Sequence, residues 1–244
     1  MHRMLKGVIA AVAVALTAPA GAVGRLADLT VYDRTEGKRL QVHWHQGRAY
    51  VVGKPGNEYQ VSLRNRQGDD VLAIVSVDGV NVITGQSASP GQSGYVLAPR
   101  GGMEILGWRK SMAETAAFYF TPLPDSYAAR TGRPDDVGVI GVALFRRKPV
   151  APPAPVGEPF PGPYSDSAPA AAGKAEAQLG TGHGRRETSH AQYVNFERAS
   201  SAPAELVTLY YDSHRNLVAK GVIKEAAPAP LPRPFPGFVP DPGA

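Results

Sequence analysis

Proline is the residue that most limits where this chain can form regular structure. Eight of its 23 prolines fall within 149–177 and seven within 226–244. A proline has no N–H to donate and fixes its own φ, so a proline-rich stretch neither continues a helix nor joins the middle of a sheet. We therefore predict a disordered Pro/Ala-rich linker at 149–177 and a disordered tail at 226–244. Folded structure is left to residues 23–148 and 178–225.

The segment 23–148 has the residue pattern of β-strands. Apolar and polar residues alternate in 40–45 and 59–63, which is the period of a strand with one buried face. Further runs of strand type occupy 71–77, 94–97, 103–108, 115–121 and 137–145. Short strands at this spacing, separated by Gly, Pro, Asn and Asp, are typical of sandwiches and barrels. The prediction is an all-β fold, an immunoglobulin-like or jelly-roll-type β-sandwich.

Turn signals predict how some of these strands connect. Asp78-Gly79 lies between two β-rich runs, and this dipeptide favours the type I′ hairpin turn, in which both residues have positive φ. Residues 212–216 separate the apolar runs 205–211 and 217–223, which predicts a C-terminal β-hairpin, with 190–198 as a candidate third strand. Because a lone ribbon is only marginally stable in water, we expect this hairpin to dock on the sandwich.

Three local patterns give narrower expectations. Residues 137–145 are apolar at nearly every position, which predicts a central strand covered on both faces. The stretch 125–130 is the only helical turn expected in the sandwich domain, with Asp125 as its N-cap. In the alternating run 40–45, Val42 and Trp44 should point into the core.

Residues 1–22 have the features of a secretory signal peptide. Arg3 and Lys6 precede an uncharged apolar run, and Ala20-Gly21-Ala22 supplies a small-x-small site for cleavage near Ala22. The apolar run is too short to cross a bilayer, so no transmembrane anchor is expected after cleavage. The chain has no cysteine, which excludes disulfides, thiolate zinc sites and a cysteine nucleophile. The predicted location is periplasmic or secreted.

Net charge argues against a nucleic-acid partner. The whole chain carries +5, and removal of Arg3 and Lys6 with the signal leaves +3. A charge this small, spread over the rest of the chain, is not the basic patch that nucleic-acid binding needs.

Several short motifs resemble those of an uncharacterised family of exported proteobacterial proteins. They are the stretches 75–82, 94–97, 107–110, 126–127, 131–134 and 180–184. The resemblance covers roughly 45–148 and 178–224 and leaves out both proline-rich stretches. It implies export and a shared β-rich fold, and the family has no assigned activity, so it transfers no catalytic residue.

Two groups of residues are candidate sites. His43 and His45 share one face of a predicted strand about 7 Å apart, which is half of a zinc or copper site if a third ligand such as His183 joins them. The string from Gly180 through Gly182, His183 and Gly184 to Arg185 permits positive φ at its glycines, so its amides could form an anion-binding nest. The alternatives are a solvent-facing pair of histidines and a flexible entry into the C-terminal ribbon.

Aromatic and proline-rich residues indicate binding rather than catalysis. Tyr119 must face the opposite side of its strand from Phe118 and Phe120, where it could line a binding surface. The tail at 231–236 could lie in an aromatic groove of another protein. No nucleophile elbow occurs, and no cofactor is indicated unless zinc or copper binds. The carboxylates that could form a catalytic pair lie in turn contexts, which Asp occupies for backbone reasons; they are Asp78, Asp125, Asp135 and Asp136.

The function predicted from sequence is therefore an exported, non-enzymatic binding or structural module of the cell envelope. It would act through contact with an envelope protein partner, and the sequence does not fix its oligomeric state. The alternative is a metal-binding envelope protein, or a metal-dependent hydrolase, that uses His43, His45 and His183.

Overall fold

The computed structural model describes residues 22–149 and 178–224. These residues form two β-sheets that face each other across one hydrophobic core, so the predicted all-β sandwich is confirmed. The predicted signal peptide, linker and tail lie outside the described residues, except for Ala22 and Pro149 at their borders.

The first sheet contains seven strands. They are β1 (Ala27–Asp33), β2 (Lys38–Arg39), β5 (Glu58–Asn65), β9 (Gly102–Ile105), β10 (Gly107–Arg109), β11 (Glu114–Pro122) and β13 (Leu179–Thr188). Their order is β10-β11-β5-β1-β2, with β13 paired to β11 and β9 paired to β5, and the strand pairs are antiparallel.

The second sheet also contains seven strands. They are β3 (Val42–His45), β4 (Arg48–Val52), β6 (Val71–Val77), β7 (Val80–Asn81), β8 (Tyr95–Leu97), β12 (Val139–Arg146) and β14 (Glu205–Asp212). The order is β3-β4-β14-β12-β6-β7, with β8 paired to β6. The β14–β4 pair is parallel, and the other pairs of this sheet are antiparallel.

Alternation of side chains explains how the core forms. In β1 the residues with odd numbers, such as Leu29 and Val31, are buried while their neighbours are half-buried. Tyr59 of β5, Leu209 of β14 and Trp108 of β10 belong to the same buried cluster as Leu29 and Val31, so both sheets contribute side chains to the core. Residues two apart on a strand share a face, so two such patterns facing each other bury a continuous apolar layer.

Two strand predictions hold in detail. Asp78 and Gly79 have φ of 52° and 69°, as a type I′ turn requires, and Val77 pairs with Val80 across it. β12 lies between β14 and β6 in the middle of its sheet, and a second apolar cluster that includes Phe145 covers its outer face. This explains why 137–145 is apolar on both faces.

The predicted C-terminal hairpin is wrong. β14 is the first of its two strands, but residues His214–Ala219 form a helix, α2, and not a returning strand. The Ser213 side chain caps α2 by accepting a hydrogen bond from the Asn216 N–H, and Gly221 follows the helix with φ of 70°. These are ordinary start and stop signals for a helix, and Leu217 is the residue that the helix buries. The 178–225 segment is therefore no ribbon, because β13 and β14 belong to different sheets.

Two smaller expectations need correction. The helical turn predicted at 125–130 consists of a 3-10 turn, Leu123–Asp125, and the short helix α1, Tyr127–Arg130, and the cap of α1 is Ser126 instead of Asp125. Trp44 does not enter the core, since 60% of it is exposed. It lies on β3, the outermost strand of its sheet, where it pairs with Ala49.

Candidate functional site

A groove of about 570 Å³ lies between the side of the sandwich and residues 189–198. We call this segment the strap. It follows β13 in one sheet and leads toward β14 in the other, so it crosses from sheet to sheet. The sequence predicted a third strand here, but the only strand-like pairing in the strap is a bridge between Arg198 and Arg147.

Arg109 fixes the first end of the strap. Its Nη1 donates to the Ser189 carbonyl oxygen at 2.8 Å and its Nη2 to the Ser189 Oγ at 3.0 Å. Its Nε donates to the Tyr95 hydroxyl at 3.1 Å, and the guanidinium lies 5.7 Å from the centre of that ring. Backbone hydrogen bonds from Ser189 to Ala113 and from Ala191 to Met112 complete this attachment.

Arg198 fixes the second end. Its Nη2 donates to the Gln92 carbonyl at 2.7 Å and its Nη1 to the Pro90 carbonyl at 2.9 Å. The same guanidinium lies 4.4 Å from the centre of the Phe145 ring. The backbone N–H of Lys148 donates to the carbonyl of Glu197 at 2.9 Å, which joins the end of the first described segment to the strap.

The middle of the strap is held less firmly. In the described part of the chain, no hydrogen bond is made by Gln192, Tyr193 or Val194. Tyr193 is 92% exposed and Val194 is 54% exposed, although both line the groove. Exposed apolar side chains beside a concave surface are typical of binding sites.

The groove combines apolar walls with positive charge. Apolar and aromatic side chains of the sandwich and strap line it, including Leu72, Tyr95, Val96, Met103 and Phe196. Arg109 and Arg198 line it as well, and among the described residues neither forms an ion pair with a carboxylate. Their hydrogen-bond partners are carbonyl and hydroxyl oxygens. These neutral groups satisfy the N–H donors but do not cancel the positive charge of the guanidinium groups. Glu104 is the one acidic residue in the lining.

The glycines at 180–184 lie in strand β13. None of Gly180, Gly182 and Gly184 has a positive φ, so the predicted nest conformation does not form. A Cβ on Gly182 would lie 2.2 Å from Cζ of Tyr119, and one on Gly180 would lie 2.5 Å from Cβ of Ser126. The glycines are needed because neighbouring side chains approach the backbone closely.

Three predicted binding residues beside these glycines have partners within the fold. Tyr119 is half-buried and opposite in burial to Phe118 and Phe120, as predicted, but its ring rests on Gly182. Arg185 donates to both carboxylate oxygens of Glu58, at 2.8 and 3.0 Å, and also pairs with Glu187. The His183 ring lies 5.4 Å from that of Tyr127, and partial burial together with the charge of Lys110 lowers the pKa of His183.

The histidines proposed as metal ligands are not brought together. His43 and His45 lie on β3 opposite Tyr50 and Arg48, whereas His183 belongs to the other sheet. Partial burial and the nearby His214 lower the pKa of His43. Within residues 22–149 and 178–224, no three His, Cys, Asp or Glu side chains are placed to hold a metal ion.

A buried network of hydrogen-bonded polar side chains joins the two sheets, and no pattern in the sequence predicted it. Asp78 uses Oδ1 to accept from the Gly138 N–H at 2.9 Å and from the Tyr211 hydroxyl at 2.5 Å. Its Oδ2 accepts from the Thr181 N–H at 2.8 Å. The Thr181 hydroxyl lies 2.6 Å from that of Tyr211 and 2.5 Å from that of Tyr59.

Only one set of hydrogen-bond directions is consistent among the hydroxyl groups of this network. Because Tyr211 gives its proton to Asp78, Thr181 must donate to Tyr211, and Tyr59 must donate to Thr181. Burial raises the pKa of Asp78 to about 6 and is opposed by its hydrogen bonds from Tyr211 and the backbone. Burial, and next the charge of Asp78, also raises the pKa of Tyr59 and of Tyr211 well above its usual value. The residues are far apart in sequence, so no local motif reveals this contact.

Comparisons with known proteins add no relative. The chain matches no protein-family model, and no curated protein or solved structure is significantly similar to it. The resemblance to exported proteobacterial proteins stays a prediction. No helix within the described ranges has the length and apolar character needed to span a bilayer.

Proposed function

We propose that this protein is an exported, non-enzymatic module of the cell envelope that binds an extended, proline-rich and acidic polypeptide segment. The observation that carries the proposal is the groove under the strap. It has apolar walls, an exposed tyrosine at its rim and two arginines that pair with no carboxylate of the described residues. Its volume lies within the range usual for ligand-binding clefts.

The chemistry of the groove favours an extended segment with proline. Aromatic rings such as Tyr95 and Phe196 offer flat apolar surfaces, on which polyproline II ligands dock in known recognition modes. Such a ligand loses little conformational freedom on binding, because proline already restricts its backbone. Acidic residues in it would face Arg109 and Arg198, whose charge no carboxylate within residues 22–149 and 178–224 neutralises.

A catalytic role has less support. A carboxyl group with a raised pKa often marks an acid or base in an active site. Asp78 has such a pKa, but it is completely buried and its oxygens already accept three hydrogen bonds from protein donors. We therefore assign Asp78 to holding the two sheets together.

Export is proposed from the sequence of residues 1–22. Its test is to express the full chain in a bacterial host and measure the mass of the periplasmic product. A chain that begins at Val23 is expected. An uncleaved chain, with Arg3 and Lys6 still present, that is found in the cytoplasm would contradict export.

Binding is tested with a labelled synthetic peptide in which proline alternates with Phe, Tyr and Glu. The proteins compared carry a Gly/Ser linker of equal length in place of 150–177, so that this proline-rich stretch cannot compete with the probe. Fluorescence polarisation should then show at least fivefold weaker binding to the double variant Tyr193→Ala/Val194→Ala than to the parent protein. Trp44→Ala is the matched control, because Trp44 is another exposed aromatic residue and lies away from the groove lining. Equal affinity in the double variant, or an equal loss in the control, would place binding elsewhere.

A further inference from the structure

The strongest clue to what fills the groove is where the chain leaves the described structure. The first described segment ends at Pro149, one residue after Lys148, whose N–H is bonded to Glu197 in the strap. Phe196 and Arg198, on either side of Glu197, line the groove. The 28 residues at 150–177 therefore begin at the edge of the groove.

We propose that the segment 150–177 of the same chain occupies this groove. The inference rests on the proposed function and deepens it, because it makes the chain's own segment the first ligand of the site. A partner would then have to resemble this segment and displace it.

The composition of the segment matches the lining of the groove. Residues 150–177 contain three acids, Glu158, Asp166 and Glu176, against one base, Lys174. They also contain two aromatic residues, Phe160 and Tyr164, among seven prolines. Acidic side chains can face the unneutralised guanidinium groups, while the aromatic rings bury apolar area against the walls.

Length and position favour binding within the same chain. An extended proline-rich chain rises about 3.1 Å per residue, so the 11 residues from Val150 to Phe160 span about 34 Å. This is sufficient for Phe160 to reach the groove from its edge, and the rest of the segment remains for the return to Gln178. A short tether also gives the segment an effective concentration of about 1 mM at the groove.

The tail at 226–244 is the competing candidate and fits less well. It contains Arg233 and Asp241, so its side chains have no net charge, whereas 150–177 has a net charge of −2 from three acids and one lysine. It begins after Lys224, beyond helix α2, and no residue of that helix lines the groove.

The experiment compares the wild-type chain with a variant in which residues 150–177 are replaced by a Gly/Ser linker of equal length. A fluorescein-labelled synthetic peptide of residues 150–170 is titrated into each protein. We expect binding to the Gly/Ser variant, and at least tenfold weaker binding to the wild type for any peptide Kd below about 100 μM, because the tethered segment competes at about 1 mM. Hydrogen exchange of the strap should be faster in the Gly/Ser variant.

Matched peptides and proteins make the test specific. The peptide carrying Phe160→Ala and Tyr164→Ala should bind at least fivefold more weakly, and Tyr193→Ala/Val194→Ala in the Gly/Ser variant should weaken the unmodified peptide similarly. Equal peptide affinity for both proteins, or tighter binding of a peptide of the tail, would overturn the assignment. If the alternating proline probe binds the Gly/Ser variant and the 150–170 peptide does not, the inference fails while the proposed function stands. If neither binds, both fail.

Discussion

Replacement of the buried Asp78 by asparagine should change how the stability of this protein depends on pH. The substitution keeps the turn, because Asn-Gly favours the type I′ conformation as strongly as Asp-Gly does. It replaces one carboxylate oxygen with an NH₂ group that does not ionise. The effect on stability therefore reports the carboxyl group and not the backbone.

The size of the pH effect follows from the pKa of Asp78. It rises from an ordinary value of 3.8 to about 6 in the folded protein, where the group is buried. A difference of about two units corresponds to about 3 kcal/mol. The folded state binds the proton more tightly than the unfolded state, so this stabilisation is fully present below about pH 4 and is lost as the pH rises through about 6.

The variant also has a cost that does not depend on pH. The carboxyl oxygens accept from Gly138 N–H, Tyr211 hydroxyl and Thr181 N–H, and asparagine offers one oxygen and an NH₂ group in their place. At least one buried donor then lacks an acceptor, which costs about 1–3 kcal/mol. We expect Asp78→Asn to be less stable than the wild type at pH 4 and nearly as stable, or more stable, at pH 7.5.

Urea unfolding followed by tryptophan fluorescence measures this difference, because Trp108 is buried in the core. Measured from pH 4 to pH 8, the gap between wild type and variant should shrink by about 3 kcal/mol. The control is Asp136→Asn, since Asp136 is an exposed carboxylate that packs beside Gly79. Tyr211→Phe removes a hydrogen bond to the ionised carboxylate, so it should raise the pKa of Asp78 further. This variant should therefore lose more stability than the wild type between low and high pH.

A gap that stays constant with pH would show that Asp78 has no raised pKa in the folded protein. A gap that widens as pH rises would show that its hydrogen bonds outweigh burial and lower the pKa. Either result would refute the reasoning from burial.

Three further substitutions test other parts of the structure. Gly182→Ala should destabilise the fold by about 1–3 kcal/mol in urea unfolding, because the new methyl group overlaps the Tyr119 ring; unchanged stability would contradict the close approach. Arg109→Ala should speed hydrogen exchange at the first end of the strap, because it removes two hydrogen bonds to Ser189 as well as those to Tyr95 and Ser111. Exchange equal to wild type would show that other contacts hold the strap. Leu217→Ala should lower the free energy of unfolding by about 2–5 kcal/mol, because Leu217 is fully buried, whereas the control Leu206→Ala should lower it by less than about 0.5 kcal/mol, because Leu206 is 68% exposed. Similar losses of stability in the two variants would contradict the packing of α2.

Predictions from the sequence succeeded where the deciding interaction is local. Alternation identified β5, a short apolar run identified β6, and the Asp78-Gly79 turn follows from the φ values that this dipeptide accepts. The residues of β1 alternate just as clearly, so the same rule applied to 27–33 identifies that strand. These patterns need no knowledge of distant neighbours.

Local signals for strand and helix conflicted in the C-terminal region. Residues 217–223 form an apolar run of strand type, yet Ser213 and Gly221 are the start and stop signals of α2. The burial of Leu217 decides the outcome in favour of the helix. The capping residues were the more reliable guide, because they satisfy backbone groups whatever the rest of the protein does.

Other features depend on contacts that no local pattern contains. The glycines of β13 resemble a loop in sequence, but Tyr119 on β11 requires them. The contact between Asp78 and Tyr211 requires β6 and β14 to lie in the same sheet. The contact between Asp78 and Thr181 requires β13, in the other sheet, to pack against them. The exposure of Trp44 likewise depends on β3 being the outermost strand, which a sequence pattern does not specify.

The way in which the strap is attached supports the proposal that the groove binds an acidic segment. Carboxylates on the sandwich would hold Arg109 and Arg198 as ion pairs, but they would also cancel the positive charge of the groove. Carbonyl and hydroxyl oxygens fix the same guanidinium groups through hydrogen bonds and leave that charge available. An acidic ligand therefore gains electrostatic attraction without breaking the contacts that keep the groove open. This separation of attachment from charge is what makes the groove, rather than the ion-paired Arg185, the better candidate for binding.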